Sequence, residues 1–406
     1  MADIETRPKH SRKLLRQVLL WTLLLACLGF LAVLLPGLST PTQLAADDFV
    51  EYWSAARLNL TGGNPYASDQ MAVLQTEVGK TDAPLMMWNP PWTLAVIMPF
   101  GLFSYFSARV LWFLVSICLV FFCAAYIWRV YGGFPDKAWI AWLVGFLFAP
   151  TLQAIKVGQI GPVFLLGLVG FMYFEKKQKW WLAGTFAALT SIKPHLLYLF
   201  LFAILLWSWR QKNWRVPVSM ALTIFLGLFI SWVVNPSLIG QYIYAVTHYP
   251  PSDYASATLG AVLRALFGEN RFWLQFVPPA FGCLWFLVYW RRRWSSWNWH
   301  DQAVLVVLVS IATAAYGWTF DYVVLILPMI LTALCCYRHG WSARIVWLYL
   351  PYVLVNILMT FLPIYQDAYW WIGLGFLFWY LWAQSWFGRE SNVQSESSLV
   401  VKPVKT

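Results

Sequence analysis

The segment Asp47-Asp48-Phe49-Val50-Glu51-Tyr52-Trp53 sets carboxylates beside aromatic rings in the first long polar stretch of the chain. A carboxylate held at an apolar boundary can take a proton from a hydroxyl nucleophile, which makes Asp48 a candidate general base and Asp47 its substitute. The same spacing also fits a plainer role. An Asp followed three residues later by a Glu is a capping-box-like helix start, with Asp48 as the N-cap. The two readings are compatible, because a cap also fixes a carboxylate in place.

Lys193-Pro194-His195 is the second constellation. A cation at the end of an apolar run suits a phosphate at the bilayer surface, or it is the snorkelling lysine of a connecting turn. Lys156 and Gln159, in a neighbouring turn, strengthen the phosphate reading. His248, Asp253, Arg264 and Arg271 lie in a later polar segment, where each also fits as a solvated loop residue. Asp321 and Tyr322 sit at another helix end. Gly62-Gly63-Asn64-Pro65-Tyr66 and Trp88-Asn89-Pro90-Pro91-Trp92 read as turn chemistry and scaffold.

Other chemistries are missing their residues. There is no P-loop, no His-Glu-x-x-His and no Gly-x-Ser-x-Gly elbow. Asp47 and Asp48 are adjacent, not spaced as a metal-diphosphate clamp. The six cysteines lie in apolar runs without Cys/His metal spacing. No cofactor is called for, and a metal requirement is left open. These absences disfavour a soluble activated donor and favour a lipid-borne one.

The elements that must hold these residues follow from composition. Of the 406 residues, 60% are hydrophobic and only 11% charged, against about 25% charged in a typical soluble domain. A soluble enzyme, a disordered regulator and a nucleic-acid-binding module are excluded. The apolar residues come in runs broken by short polar loops, so the expected fold is all-α and polytopic, an integral membrane protein. Spans are expected near 18–38, 106–129, 138–155, 160–174, 180–192, 195–209, 216–234, 272–290, 302–317, 320–337, 341–360 and 369–387, about twelve in all. The proline-interrupted stretch 92–103 is too short to span and reads as re-entrant. Residues 1–17 form a basic tail, 18–387 the membrane domain with long outer loops at 39–91 and 235–271, and 388–406 a disordered tail. The first span is long for a signal peptide and reads as an anchor, although Ala45-Ala46 leaves cleavage open.

With both termini cytoplasmic, seven of the 28 lysines and arginines fall outside: Arg57, Lys80, Arg109, Lys156, Lys193, Arg264 and Arg271. That asymmetry fits the positive-inside rule. It places Asp48, Lys156, Lys193 and Asp321 together at the outer face. The net charge of +11 is then explained without a nucleic-acid partner.

The order Asp48-Phe49-x-x-Tyr52, Gly63-Asn64-Pro65-Tyr66, Asn89-Pro90-Pro91, Gly158-Gln159, Lys193-Pro194-His195, Asp321-Tyr322 resembles the family 87 glycosyltransferases, from about 18 to 387. These are bacterial inner-membrane enzymes of the GT-C fold, related to polyprenyl-phosphate-mannose-dependent α-mannosyltransferases. The resemblance implies inverting transfer of a sugar, mannose first, from a polyprenyl-phosphate donor to the hydroxyl of a glycolipid or polysaccharide acceptor outside the membrane. It maps the base to Asp48 and the donor-phosphate ligands to Lys193, Lys156 and Arg264. Tyr52, Asn89, Gln159, His195, His248, Asp321 and Tyr322 become cavity residues. His195 stands where the family often has Gln. The rival readings are a multi-pass transporter, which usually places its polar site at the midplane between repeated halves, and an oligosaccharide ligase with a polyprenyl-diphosphate donor.

Overall fold

Uninterrupted apolar runs in lipid have to satisfy their backbone hydrogen bonds internally, and here they do so as helices. The computed structural model describes residues 48–248, 256–339, 343–361 and 366–400. Among these there are seventeen α-helices and no strand. They are α1 (Phe49–Leu60), α2 (Ser68–Glu77), α3 (Leu94–Gly101), α4 (Tyr105–Val130), α5 (Ala138–Phe146), α6 (Ala149–Lys156), α7 (Gly161–Lys176), α8 (Trp180–Leu189) and α9 (Tyr198–Gln211). Then follow α10 (Arg215–Val234), α11 (Leu238–His248), α12 (Leu259–Phe267), α13 (Val277–Arg293), α14 (Trp299–Ala312), α15 (Ile326–His339), α16 (Ala343–Phe361) and α17 (Ile372–Val400). The expected first span, Asp47 and Asp253 lie outside the described residues.

Among the described residues four helical stretches are long and apolar enough to cross a bilayer: Tyr105–Val130, Arg215–Val234, Phe272–Arg293 and Thr319–Arg338. A fifth arises if α5 and α6 count as one span bent by 72°. The sequence reading treats 138–155 as continuous. The break falls just ahead of Pro150, which has no N–H with which to continue a helix and is well placed only in the first turn of a new one. Other expected spans form shorter apolar helices, among them Trp180–Ile192 and Trp299–Ala312. At 1.5 Å per residue these fall short of the ~30 Å hydrocarbon layer.

Packing accounts for the short helices. Helix α8 lies between α7 and α10, and Gly184 permits the approach, because a Cβ there would run into Ser219 and the Val216 carbonyl. Helices at the periphery look different. Leu222, Phe225, Leu226 and Phe229 on α10, with Phe281, Leu284 and Val288 on α13, are all exposed. Apolar faces of that extent suit lipid, and this is a membrane protein.

Buried side chains fall into two clusters. The larger is the bundle core, with Phe164, Phe171, Phe200, Trp299 and Val323. The smaller joins the first polar segment to the bundle: Phe49, Tyr52, Trp53 and Trp92 pack with Trp112 of α4 and with Ile160 and Ile192. Within it α1 lies against α3, where Trp53 Nε1 donates to the Phe103 carbonyl at 3.1 Å and Arg57 Nη1 to that of Gly101 at 3.0 Å. The stretch 92–103 is a short turn at Pro91–Thr93 followed by α3, as its prolines require. At the other end of the chain, α17 continues beyond residue 387, where the sequence reading begins a tail. No proline interrupts it before Pro403.

Candidate active site

The two clusters meet where α6 ends and α7 begins. Gly158 has φ of +72°, which turns the chain sharply after α6. The carbonyls at this turn are all taken up. Phe49 N–H donates to Val157 at 3.0 Å, Trp112 Nε1 to Gly158 at 2.8 Å, and Arg109 Nη2 to Lys156. Arg109 is 3% exposed and sits at the negative end of α6. This scaffold aims Gln159 at the start of α1.

Gln159 Nε2 donates to Asp48 Oδ2 at 2.7 Å, and its Oε1 accepts from Tyr52 OH at 2.8 Å and from Lys193 Nζ at 3.1 Å. Lys193 Nζ also donates to Asp321 Oδ1 at 2.7 Å. The other oxygen, Asp321 Oδ2, accepts from the Trp318 backbone N–H at 3.0 Å. Lys193 is 8% exposed and Asp321 fully buried, so each needs the other to be tolerated. The ammonium also lies 5.3 Å from the Phe320 ring centre and 6.0 Å from that of Trp318.

Asp48 does not cap α1: it precedes the helix with φ −69° and ψ −14°, and its side chain makes no capping bond. The capping-box reading is thereby corrected, because the carboxylate is turned to Gln159 instead. Burial pushes its carboxyl above the ordinary range, while the Gln159 hydrogen bond and the Lys193 charge pull it back. Glu51 lies one turn on, and its carboxylate has no hydrogen-bond or ion-pair partner among the described residues. Its carboxyl is pushed well above the usual range by burial and then by the Asp48 charge. Of the two, Asp48 is the better supported as an anion.

The remaining expected residues are dispersed. Asn89 Nδ2 donates to the Ile192 carbonyl at 3.1 Å and so ties the first polar segment to the Lys193 turn. Tyr322 OH donates to the Ala257 carbonyl at 2.7 Å, a buried structural bond. The His195 ring faces Tyr316 edge-on at 6.2 Å, and its buried Nε2 has no hydrogen-bond partner among the described residues. Lys156 is exposed and brings only its carbonyl to this turn. Arg264 holds the Glu269 carbonyl through Nε and Nη2 at 3.2 and 3.1 Å and lies over Phe272. His248 is exposed and stacks on Tyr244 at 4.1 Å. The cluster therefore unites Asp48, Tyr52, Gln159, Lys193 and Asp321, with Asn89 supporting it. Lys156, Arg264 and His248 stand apart.

Three residues join that the sequence reading did not select. Glu51 was read only as a capping partner, and Arg109 only as an outer basic residue. Lys80 is buried, pairs with Asp82 at 3.3 Å and is close enough for its charge to act on Asp48. A lone arginine inside an apolar helix is the one signal that pointed to Arg109. Among the described residues no group of three or more His, Cys, Asp or Glu is placed to hold a metal ion.

A carboxylate joined by one amide to a buried ammonium is an arrangement that can accept a proton from a hydroxyl and hold an anionic group beside it. The model of glycosyltransferase family 87 matches residues 88–336, more than half of the chain. The chain belongs to glycosyltransferase family 87 and is a membrane glycosyltransferase. The match takes in Asn89, Gln159, Lys193 and Asp321 and begins after Asp48. No curated protein and no solved structure matches the chain.

Proposed function

We propose that the protein moves a hexose, mannose being the first candidate, from a polyprenyl-phosphate donor to a hydroxyl of a glycolipid or polysaccharide at the outer face of the bacterial inner membrane. The observation that carries this reading is the bridge from Asp48 through Gln159 to Lys193. Asp48 takes the proton of the acceptor hydroxyl as its oxygen attacks the anomeric carbon. The bond from that carbon to the phosphate oxygen breaks, and polyprenyl phosphate leaves with the electron pair. A single displacement of this kind inverts the anomeric centre.

Lys193 meets the leaving group. Its ammonium has three N–H donors, of which Gln159 and Asp321 take two. The third is left for a phosphate oxygen, whose charge grows as the bond breaks. Lys80 is a better second cation than Lys156, being buried and in electrostatic reach of Asp48.

The twelve-span arrangement with both termini inside belongs to the same proposal. It is supported by the turns at Gln159, Lys193 and Trp318, all expected outside, converging on one cluster.

The test is reconstitution in liposomes with radiolabelled polyprenyl-phosphate mannose and a bacterial glycolipid extract. Covalent label in the glycolipid fraction is the expected result. Label that crosses the membrane unattached would sink the reading in favour of a transporter. Product formed only from a polyprenyl-diphosphate oligosaccharide would replace it with a ligase.

A further inference from the structure

The polar segment between α10 and α13 contains two short helices, α11 and α12, and they are the two most amphipathic of the described helices. A helix of this kind on a water-soluble fold turns its apolar stripe towards the core. Here both stripes point outwards.

In α12, Leu259, Val262, Leu263 and Leu266 recur at the spacing of one helix face, with Phe267 at its edge. Leu266 is 72% and Phe267 59% exposed, and the only buried residue of the helix is Gly260, off that face. Gly260 packs so closely on Gln275 that a Cβ would stand 2.7 Å from its carbonyl oxygen. Arg264, one turn further on that side, holds the Glu269 carbonyl. The helix meets the protein through its small and polar residues and presents its leucines to the surroundings.

Helix α11 repeats the arrangement. Leu238 and Ala245 are buried, while Ile239, Ile243 and Val246 form an exposed stripe. Neither helix can span a bilayer: at 1.5 Å per residue they reach about 17 and 14 Å against a ~30 Å hydrocarbon layer.

The neighbours of these stripes identify what covers them. Exposed apolar residues continue from Trp232 and Val233 at the end of α10 to Ile239, and from Leu266 through Trp273 and Phe276 to Phe281 on α13. Helices α10 and α13 belong to membrane-capable stretches, so both stripes join surfaces that face lipid. Trp273 close to Arg264 and Arg271 in the chain is the composition of a headgroup boundary.

Both helices are also fastened to elements that carry the candidate site. Thr258 Oγ1 and Gln275 Nε2 donate to the Ala315 carbonyl, and Ala257 N–H donates to that of Gly317 at 2.9 Å, directly ahead of Trp318. On the other side Asn235 Nδ2 donates to the Gly63 carbonyl at 2.8 Å, and the Tyr242 ring lies 5.2 Å from that of Tyr66.

We infer that α11 and α12 are interfacial helices, lying at the boundary of headgroups and acyl chains with Ile239, Ile243, Val246, Leu266 and Phe267 among the chains. For a donor anchored in the membrane, they support the turn at Trp318 at the depth where its phosphate travels. That consequence, and the choice of the outer leaflet, rest on the function and sidedness proposed above. The insertion itself does not, and its test uses no sugar donor.

The experiment places the photoreactive residue p-benzoylphenylalanine at position 266, 243 or 269 of the full chain, reconstituted in liposomes of phosphatidylglycerol and phosphatidylcholine and irradiated. Glu269 is exposed in the turn after α12 and provides the water-facing control. Intact mass should show one phospholipid added at 266 and at 243, in at least tenfold higher yield than at 269. Position 267 replaces either one that does not fold. An equal yield at 269, the absence of a lipid adduct, or an adduct to another part of the chain or to a second copy would overturn the assignment.

Discussion

Gln159 donates to Asp48 Oδ2 at 2.7 Å across 111 residues of chain. Its opposite end faces Lys193, which can only donate, so the amide oxygen must point there and the NH2 to Asp48. The orientation of the amide is thereby determined, and the Asp48 oxygen it meets must be an acceptor. A carboxylate is held ready in one geometry.

The pH profile should report this bond. Asp48 works as a base only when ionised, and burial has pushed its carboxyl above the ordinary range, so turnover should rise as pH rises through that value and fall below it. The Gln159 bond is one of the influences that lower it. Gln159→Leu should move the acid limb of kcat to higher pH as well as reduce its plateau. A limb that stays put or moves down would contradict the assignment.

Replacing the base itself should be more severe. Asp48→Asn is expected to lower turnover about 10²–10⁴-fold, with donor binding changed only a few-fold, measured by labelled transfer and by equilibrium binding. Glu51→Gln, next to it but without a polar partner, should keep most of the activity. Full turnover in Asp48→Asn with none in Glu51→Gln would transfer the role to Glu51.

The placement of chemistry at the helix ends was legible because polar residues between apolar runs have few alternative explanations in a membrane protein. Asp48, Gln159, Lys193 and Asp321 stood out on that ground, and they meet. Glu51 did not stand out, because a second carboxylate three residues after the first has the spacing of a capping box. Lys156 and Gln159 could not be ranked either. Which of them faces the cluster depends on the positive φ of Gly158 between them, and many sequences tolerate a glycine in a turn. Span number suffered from a different ambiguity. An apolar run such as Trp180–Ile192 looks the same whether lipid or protein faces it, and here one side packs between α7 and α10 while Trp181 and Leu182 on the other are exposed.

Lys193 and Asp321 allow structure and function to be separated. Removing one partner from a buried pair strands the other charge, which typically costs about 3–5 kcal/mol, whereas replacing both with apolar side chains is often neutral. Lys193→Met and Asp321→Leu should each lower the unfolding temperature in detergent, and the double variant should recover most of that loss. Activity should remain absent in the double variant, because no ammonium is left for the phosphate. An active double variant would remove Lys193 from the chemistry.

The turn at Gly158 offers a control within the same protein. Gly158 and Gly62 have nearly the same backbone, φ +72° and +75°, so an alanine at either should cost the same left-handed strain, about 1–2 kcal/mol. Their surroundings differ. A Cβ on Gly158 would stand 2.5 Å from Phe49 Cβ, whereas one on Gly62 would meet nothing within 4 Å. Phe49 follows Asp48 directly, and its N–H is fixed to Val157, so displacing it carries the carboxylate away from Gln159. Gly62→Ala should therefore lose stability and keep its turnover per folded molecule, while Gly158→Ala should lose at least tenfold more turnover than its stability loss explains. Equal kcat in the two folded variants would mean that the Asp48–Gln159 geometry does not limit the reaction.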